Sequence, residues 1–339
     1  MSDDAIVPLA EPTPAPPAPS RFEWIFFGKD GLRAGWSLLI YIALLAAVFA
    51  CVNLVGHAVH PPPPKGAKTP AGPSSVPLMA TNEALAFISI FLVTWIMSKI
   101  ERRPNGVYGL GGSRKVAHLL AGLMWGVTCI SILVATLMMT GLLVVEGRLL
   151  FGAEIIHYGA MWLAVFVLVG FLEEYLMRGY LLYTLSRGLS GLYQWALKTE
   201  RHATLGFWTS AVALSILFGL GHRGNPGESP IGLLSAGSAG MVFCYSLWRT
   251  GSLWWAIGFH AAWDWGQSFL YGVADSGVLV PHRLLATHPV GRPILSGGST
   301  GPEGSILVVV ILALACLIIY LTLPRVQTGH NSAVPQTLT

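Results

Sequence analysis

Phe171-Leu172-Glu173-Glu174-Tyr175-Leu176-Met177-Arg178-Gly179 sets two adjacent carboxylates and a guanidinium inside an apolar run, from Ile155 to about Ser186, that is longer than a bilayer requires. A charged side chain at the centre of a membrane helix costs about 2.5–3.5 kcal/mol on insertion scales, so these charges need partners or a use. On an α-helix Glu174 and Arg178 stand at i,i+4, on one face, where they pair and offset each other's desolvation. Glu173 points about 100° away. It has no partner on its own helix, and this spare carboxylate is the predicted seat of chemistry.

The composition around the stretch fixes its setting. Of 339 residues, 53% are hydrophobic and 11% charged, and the mean hydropathy of +0.62 belongs to a polytopic membrane protein, not a soluble core. The net charge of +4 is modest, and the basic residues lie beside apolar spans without interleaved aromatics, which excludes a nucleic-acid partner. Cys51, Cys129, Cys244 and Cys316 lie in apolar segments without CxxC spacing and read as small packing residues. The acidic, proline-rich opening has no apolar core and is no cleavable signal peptide, so the first span is expected to target the chain.

Working outward along the chain, residues 1–20 form a Pro-rich tail expected to be disordered, and 21–35 an interfacial segment mixing aromatics with Arg21, Lys29 and Arg33. Residues 36–323 are read as a single all-α integral membrane domain, a helix bundle with about eight transmembrane helices, followed by a polar tail at 324–339. The spans are expected at 36–59, 81–100, 118–145, 155–186, 205–222, 231–248, 252–270 and 304–323. Proline-rich (60–77) and polar (271–303) loops separate them. In the sixth span Gly232, Ala236 and Gly240 make a small-residue face that lets another helix approach closely. Eight spans place both termini on one side together with thirteen of the twenty Lys and Arg, against six on the other, so both termini are expected in the cytoplasm of a cell-membrane protein. No internal repeat of transporter type is visible.

Of sixteen acidic residues, only Glu173, Glu174 and Asp264 fall well inside a span. Two histidines join them: the fifth span ends Phe218-Gly-Leu-Gly-His222, and the seventh carries His260-Ala-Ala-Trp-Asp264. Lipid rejects these groups, so three helices are expected to converge on one interior cavity. Each piece alone has a structural reading: a buried ion pair at Glu174 and Arg178, a helix cap at His222, a self-satisfied pair at His260 and Asp264, packing at Phe218. None of these gives Glu173 a partner. Two routes to activated water remain open on the residues: Glu173 as general base with a histidine sharing the proton, or a zinc ion held by His222 and His260 with Glu173 or Asp264. The soluble signature H-E-x-x-H is absent. The span boundaries also place His222 at the non-cytoplasmic end and Glu173 near mid-depth, a mismatch in depth.

Glu173-Glu174-x-x-x-Arg178, Phe218-x-x-x-His222 and His260-x-x-x-Asp264, in that order on successive helices, resemble the CAAX protease and bacteriocin-processing (CPBP, ABI or Rce1-like) family of intramembrane endopeptidases. The resemblance covers about 155–270. It implies Glu173 as the catalytic carboxylate working with His222 to activate water, Glu174 and Arg178 as a supporting pair, Phe218 shaping the pocket, and His260 with residue 264 binding the oxyanion. Asp264 departs from the form with asparagine there, and an ionised aspartate cannot donate to an oxyanion. It must then be protonated, orient His260 or bind a metal. The resemblance favours a metal-free glutamate mechanism, with zinc as the alternative cofactor, and a membrane-associated peptide or protein as substrate. The competing readings are a non-catalytic binding or regulatory protein of the same fold and a proton-coupled transporter.

Overall fold

The structure, a computed structural model, describes residues 25–28, 30–59 and 75–323. The expected tails at 1–20 and 324–339 and most of the proline-rich loop lie outside the described residues. The chain is a multi-pass membrane protein built as a helical bundle. A short hairpin of β1 (Phe27–Gly28) and β2 (Gly31–Leu32) comes first, in the segment expected at the interface. Six helices are long and apolar enough to cross a membrane. The first, α1 (Ala34–Val59), is apolar on all sides and buries only Ser37 and Tyr41. It is therefore a peripheral helix with lipid around most of its circumference. Next comes α2 (Val76–Ile100), which begins five residues before the expected boundary with Pro77 in its first turn, where a missing N–H costs nothing.

α3 (Lys115–Met139) ends sooner than expected, because the chain turns at Gly141 into a strand, β3 (Leu143–Arg148). The 155–186 run lies in a continuous 45-residue rod, made of α4 (Ala153–Glu174), a π-helical turn (Tyr175–Leu181) and α5 (Leu182–Leu197). At 1.5 Å per residue such a rod is about 68 Å long, roughly twice a bilayer's hydrocarbon core. Beyond the π turn the rod is pinned by Tyr180, whose hydroxyl donates to buried Glu101 at 3.1 Å and whose ring stacks on Tyr41 at 4.0 Å.

α6 (His202–Gly221) returns beside the rod, and α7 (Pro230–Thr250) follows. The latter is capped by Ser229, which accepts from Gly232 N at 3.1 Å, and stopped by Gly251 at φ 65°. The seventh expected span is α8 (Trp254–Trp265), extended by a second π turn over Gly266–Leu270. The eighth is α9 (Val308–Thr322). Both fall short of the length that marks the other six. α8 is enclosed by protein: Trp255, Ala256 and Ile257 are at most 1% exposed. Glycines explain its depth. A Cβ on Gly122 would strike the Trp255 carbonyl, one on Gly126 the Phe259 carbonyl, and one on Gly258 the Leu119 carbonyl, so α3 and α8 touch backbone to backbone.

The polar loop expected at 271–303 is a folded cap. Its strand β4 (Leu285–Pro289) pairs antiparallel with β3, with Val144 opposite His288, so the all-α bundle carries a small β ribbon at one end. Inside the cap, Gly272 (φ 63°) and Gly301 (φ 105°) sit against the carbonyls of Leu285 and Ala274, where no side chain fits.

Candidate active site

Where α2, α4, α6, α7, α8, α9 and the cap meet, they enclose a cavity of about 260 Å³ whose lining includes Glu173, His222, His260 and Asp264. The three sequence motifs therefore do converge, and Glu173 faces the interior of the bundle. The depth mismatch between His222 and Glu173 vanishes, since both line one hollow: the rod runs far past a single span, and the apolar run's midpoint is no guide to depth.

The centre of the arrangement is His260. Glu174 is fully buried and Arg178 is 1% exposed, and they pair at 2.9 Å through Glu174 Oε1. The same oxygen lies 3.1 Å from His260 Nδ1. A carboxylate oxygen accepts, so Nδ1 carries a proton and donates it. The other ring nitrogen, Nε2, then points between Asp264 Oδ2 at 3.4 Å and Glu173 Oε2 at 3.7 Å. Glu174 thus links the Arg178 anchor to the orientation of an imidazole on another helix. The Arg178 guanidinium lies over the Phe218 ring at 4.2 Å and near that of Phe243 at 5.6 Å, and Phe243 stacks on His260 with ring centroids 5.4 Å apart. Two aromatic faces hold the cation from its uncharged sides.

His222 is placed by the end of its own helix. Its Nδ1 stands 2.8 Å from the Phe218 carbonyl. A carbonyl can only accept, so Nδ1 is the protonated nitrogen and Nε2 is left free as an acceptor. Beside Glu173 the structure puts the imidazole of His260, not that of His222. Among the described residues no three His, Cys, Asp or Glu side chains are arranged to hold a metal ion.

Three cavity carboxylates escaped the sequence reading: Glu83 on α2 and Asp275 and Glu303 on the cap. Glu83 had a signal, being the sole charged residue of α2 ahead of Lys99. The cap residues had none, since nothing local distinguishes a polar loop that folds inward. Asp275 accepts from Ser268 Oγ at 3.1 Å, and Glu303 accepts from the Ser276 backbone N–H. Burial pushes the Asp275 carboxyl well above the usual carboxylate range, and repulsion from Asp264 and Glu303 adds to the rise. Burial also raises Glu303, against the hydrogen bonds from Ser276.

Residues 155–266, which carry all three motifs, match the family model described as Type II CAAX prenyl endopeptidase Rce1-like. This core is Rce1-like. The match covers about a third of the chain; α1 to α3, the cap and α9 lie outside it. No curated protein and no solved structure matches the chain. The Rce1-like core thus supplies Glu173, His222, His260 and Asp264, whereas Glu83, Asp275 and Glu303 come from the surrounding chain.

Proposed function

We propose that the protein is an intramembrane endopeptidase in which Glu173 activates water to hydrolyse a peptide bond of a membrane-associated peptide or protein. The observation that carries this reading is the Glu173 carboxylate: it lines the interior cavity, makes no hydrogen bond among the described residues and has Oε2 3.7 Å from His260 Nε2. That separation is too long for a direct hydrogen bond; Oε2 itself is closed off, and the side chain's 28% exposure leaves the other carboxylate oxygen open to a water in the cavity.

In the reaction Glu173 takes a proton from this water while its oxygen attacks the scissile carbonyl carbon. Negative charge moves to the carbonyl oxygen, and a doubly protonated His260 donates to it from Nε2. Glu174 and Asp264 balance the charge of that imidazolium, which gives the aspartate a use without donation of its own. As the C–N bond breaks, Glu173 returns its proton to the leaving amine, so the carboxylate and the imidazolium are both regenerated. His222, with Nε2 free, accepts from the second hydrogen of the water. Glu174 and Arg178 are positioning residues, and Phe218 holds the guanidinium.

We also infer orientation. Among the described residues, ten Lys and Arg lie at the end of the bundle where α1 begins (Arg33, Lys99, Arg102, Arg103, Arg114, Lys115, Arg187, Lys198, Arg201, Arg249) and four at the cap end (Arg148, Arg223, Arg283, Arg292). Positive-inside bias puts the termini in the cytoplasm and the cap on the opposite side. The test is cleavage of a membrane peptide by the purified protein in proteoliposomes. Glu173→Gln should abolish it with the fold intact. Full activity in that variant sinks the mechanism, and activity lost only on chelation points to a metal.

A further inference from the structure

The cavity is far more acidic than hydrolysis needs. Glu83, Glu173, Asp264, Asp275 and Glu303 reach it from α2, α4, α8 and the two ends of the cap; none of the described residues lining it is Lys or Arg, and the imidazoles of His222 and His260 are the basic groups set against these five acids. The rest of its wall is mostly apolar. Two of these carboxylates also make no hydrogen bond among the described residues and share one imidazole. Asp264 is 7% exposed and makes no hydrogen bond among the described residues; the imidazole it pairs with, His260 through Nε2 at 3.4 Å, also faces Glu173. Glu173 Oε2 is equally without a bond. An ammonium brings three N–H donors and a guanidinium five, with a positive charge that relieves the crowding of acids. The volume sets a limit, because pockets for drug-sized ligands run to about 300–1,000 Å³, so about 260 Å³ holds a side chain or two.

We propose that the cavity selects a peptide carrying a Lys or Arg among apolar residues next to the cleaved bond, and that Asp275 and Glu303, with Glu83, recognise this cation. The proposal rests on the endopeptidase reading for its cleavage step but not for its binding step. Recognition then belongs to the cap and α2, which lie outside the Rce1-like core, and catalysis to the core itself. Burial favours the protonated forms of Asp275 and Glu303; Asp264, Glu303 and Glu173 add to this at Asp275 and Glu228 at Glu303, against the Ser268 and Ser276 hydrogen bonds and the His222 imidazole. A cation therefore binds with release of protons and binds more tightly as pH rises.

Binding of fluorescent Leu/Ala peptides with one central Lys, Gln or Glu to the full-length Glu173→Gln protein in nanodiscs, read by anisotropy, tests this without turnover. The Lys peptide should bind about tenfold more tightly than the Gln peptide, the equivalent of about 1.4 kcal/mol, and the Glu peptide more weakly still. Asp275→Asn and Glu303→Gln, made singly and together, should each reduce the preference. If the double variant does not fold, the single variants and the gain in affinity with pH still decide. Equal binding of the three peptides, or a preference untouched by the single variants, overturns the proposal. Equal cleavage of all three by the unaltered protein does so while leaving the protease intact. Selective binding without any cleavage leaves the proposal standing and removes the protease.

Discussion

Replacing Arg178 by Met removes a guanidinium that is 1% exposed and leaves the fully buried Glu174 carboxylate with His260 as its remaining partner. Breaking a buried pair by deleting one member costs about 3–5 kcal/mol, chiefly because the other charge is stranded. The lost contact with the Phe218 face, at 4.2 Å, places the cost high in that range. The double variant Glu174→Gln/Arg178→Met has no stranded charge and nearly the same volume, so it should recover about half of the loss or more. The amide that replaces the Glu174 carboxylate would still offer a carbonyl oxygen to His260 Nδ1–H, so the double variant should also recover some cleavage. Equilibrium unfolding in mixed micelles measures the four corners of this cycle. An Arg178→Met protein as stable as the double variant would refute the view that the pair is held by mutual need.

His260→Gln should lower kcat by about a hundredfold or more, as removal of an oxyanion donor does, with little change in KM. Gly126→Val should block the backbone contact of α3 with α8 and leave no monodisperse protein after solubilisation, whereas Gly147→Ala, with nothing within 4 Å, should be silent. The raised carboxyls of Asp275 and Glu303 favour the proton-bound folded cap. Their contribution is complete below the ordinary carboxylate range and is lost as pH rises through the raised values, so proteolysis of the cap should accelerate from mildly acidic to neutral pH. Asp275→Asn should flatten that slope; an unchanged slope would contradict the assignment.

The site was legible wherever its logic is local. Glu174 and Arg178 sit one turn apart, and a charge inside an apolar run announces itself, so the pair, the spare carboxylate and the three converging motifs could be read from residue types and spacing. The partner of Glu174 across the site could not, because His260 lies 86 residues away and its bond depends on how α8 docks. The cap was hidden for a similar reason: β3 pairs with β4 across more than a hundred residues, and Asp275 looks like any loop aspartate until the chain folds back. Helix length misled in both directions. A buried helix such as α8 need not span lipid by itself, and the rod is longer than one crossing.

The π turn at Tyr175–Leu181 carries a consequence for the inheritance of this design. A π turn holds one residue more than the α-helix around it. Losing a codon near Leu181 would heal the turn into an uninterrupted helix and leave α5 facing nearly as it does, whereas losing one within α5 would swing the residues beyond it by about 100° about the axis. The Glu174–Arg178 pair would survive either, but the second would part the face of α5 from α6. Arg178, Gly179 and Tyr180 hold this stretch against drift, and its surplus residue lets them reach their partners without turning the helix beyond.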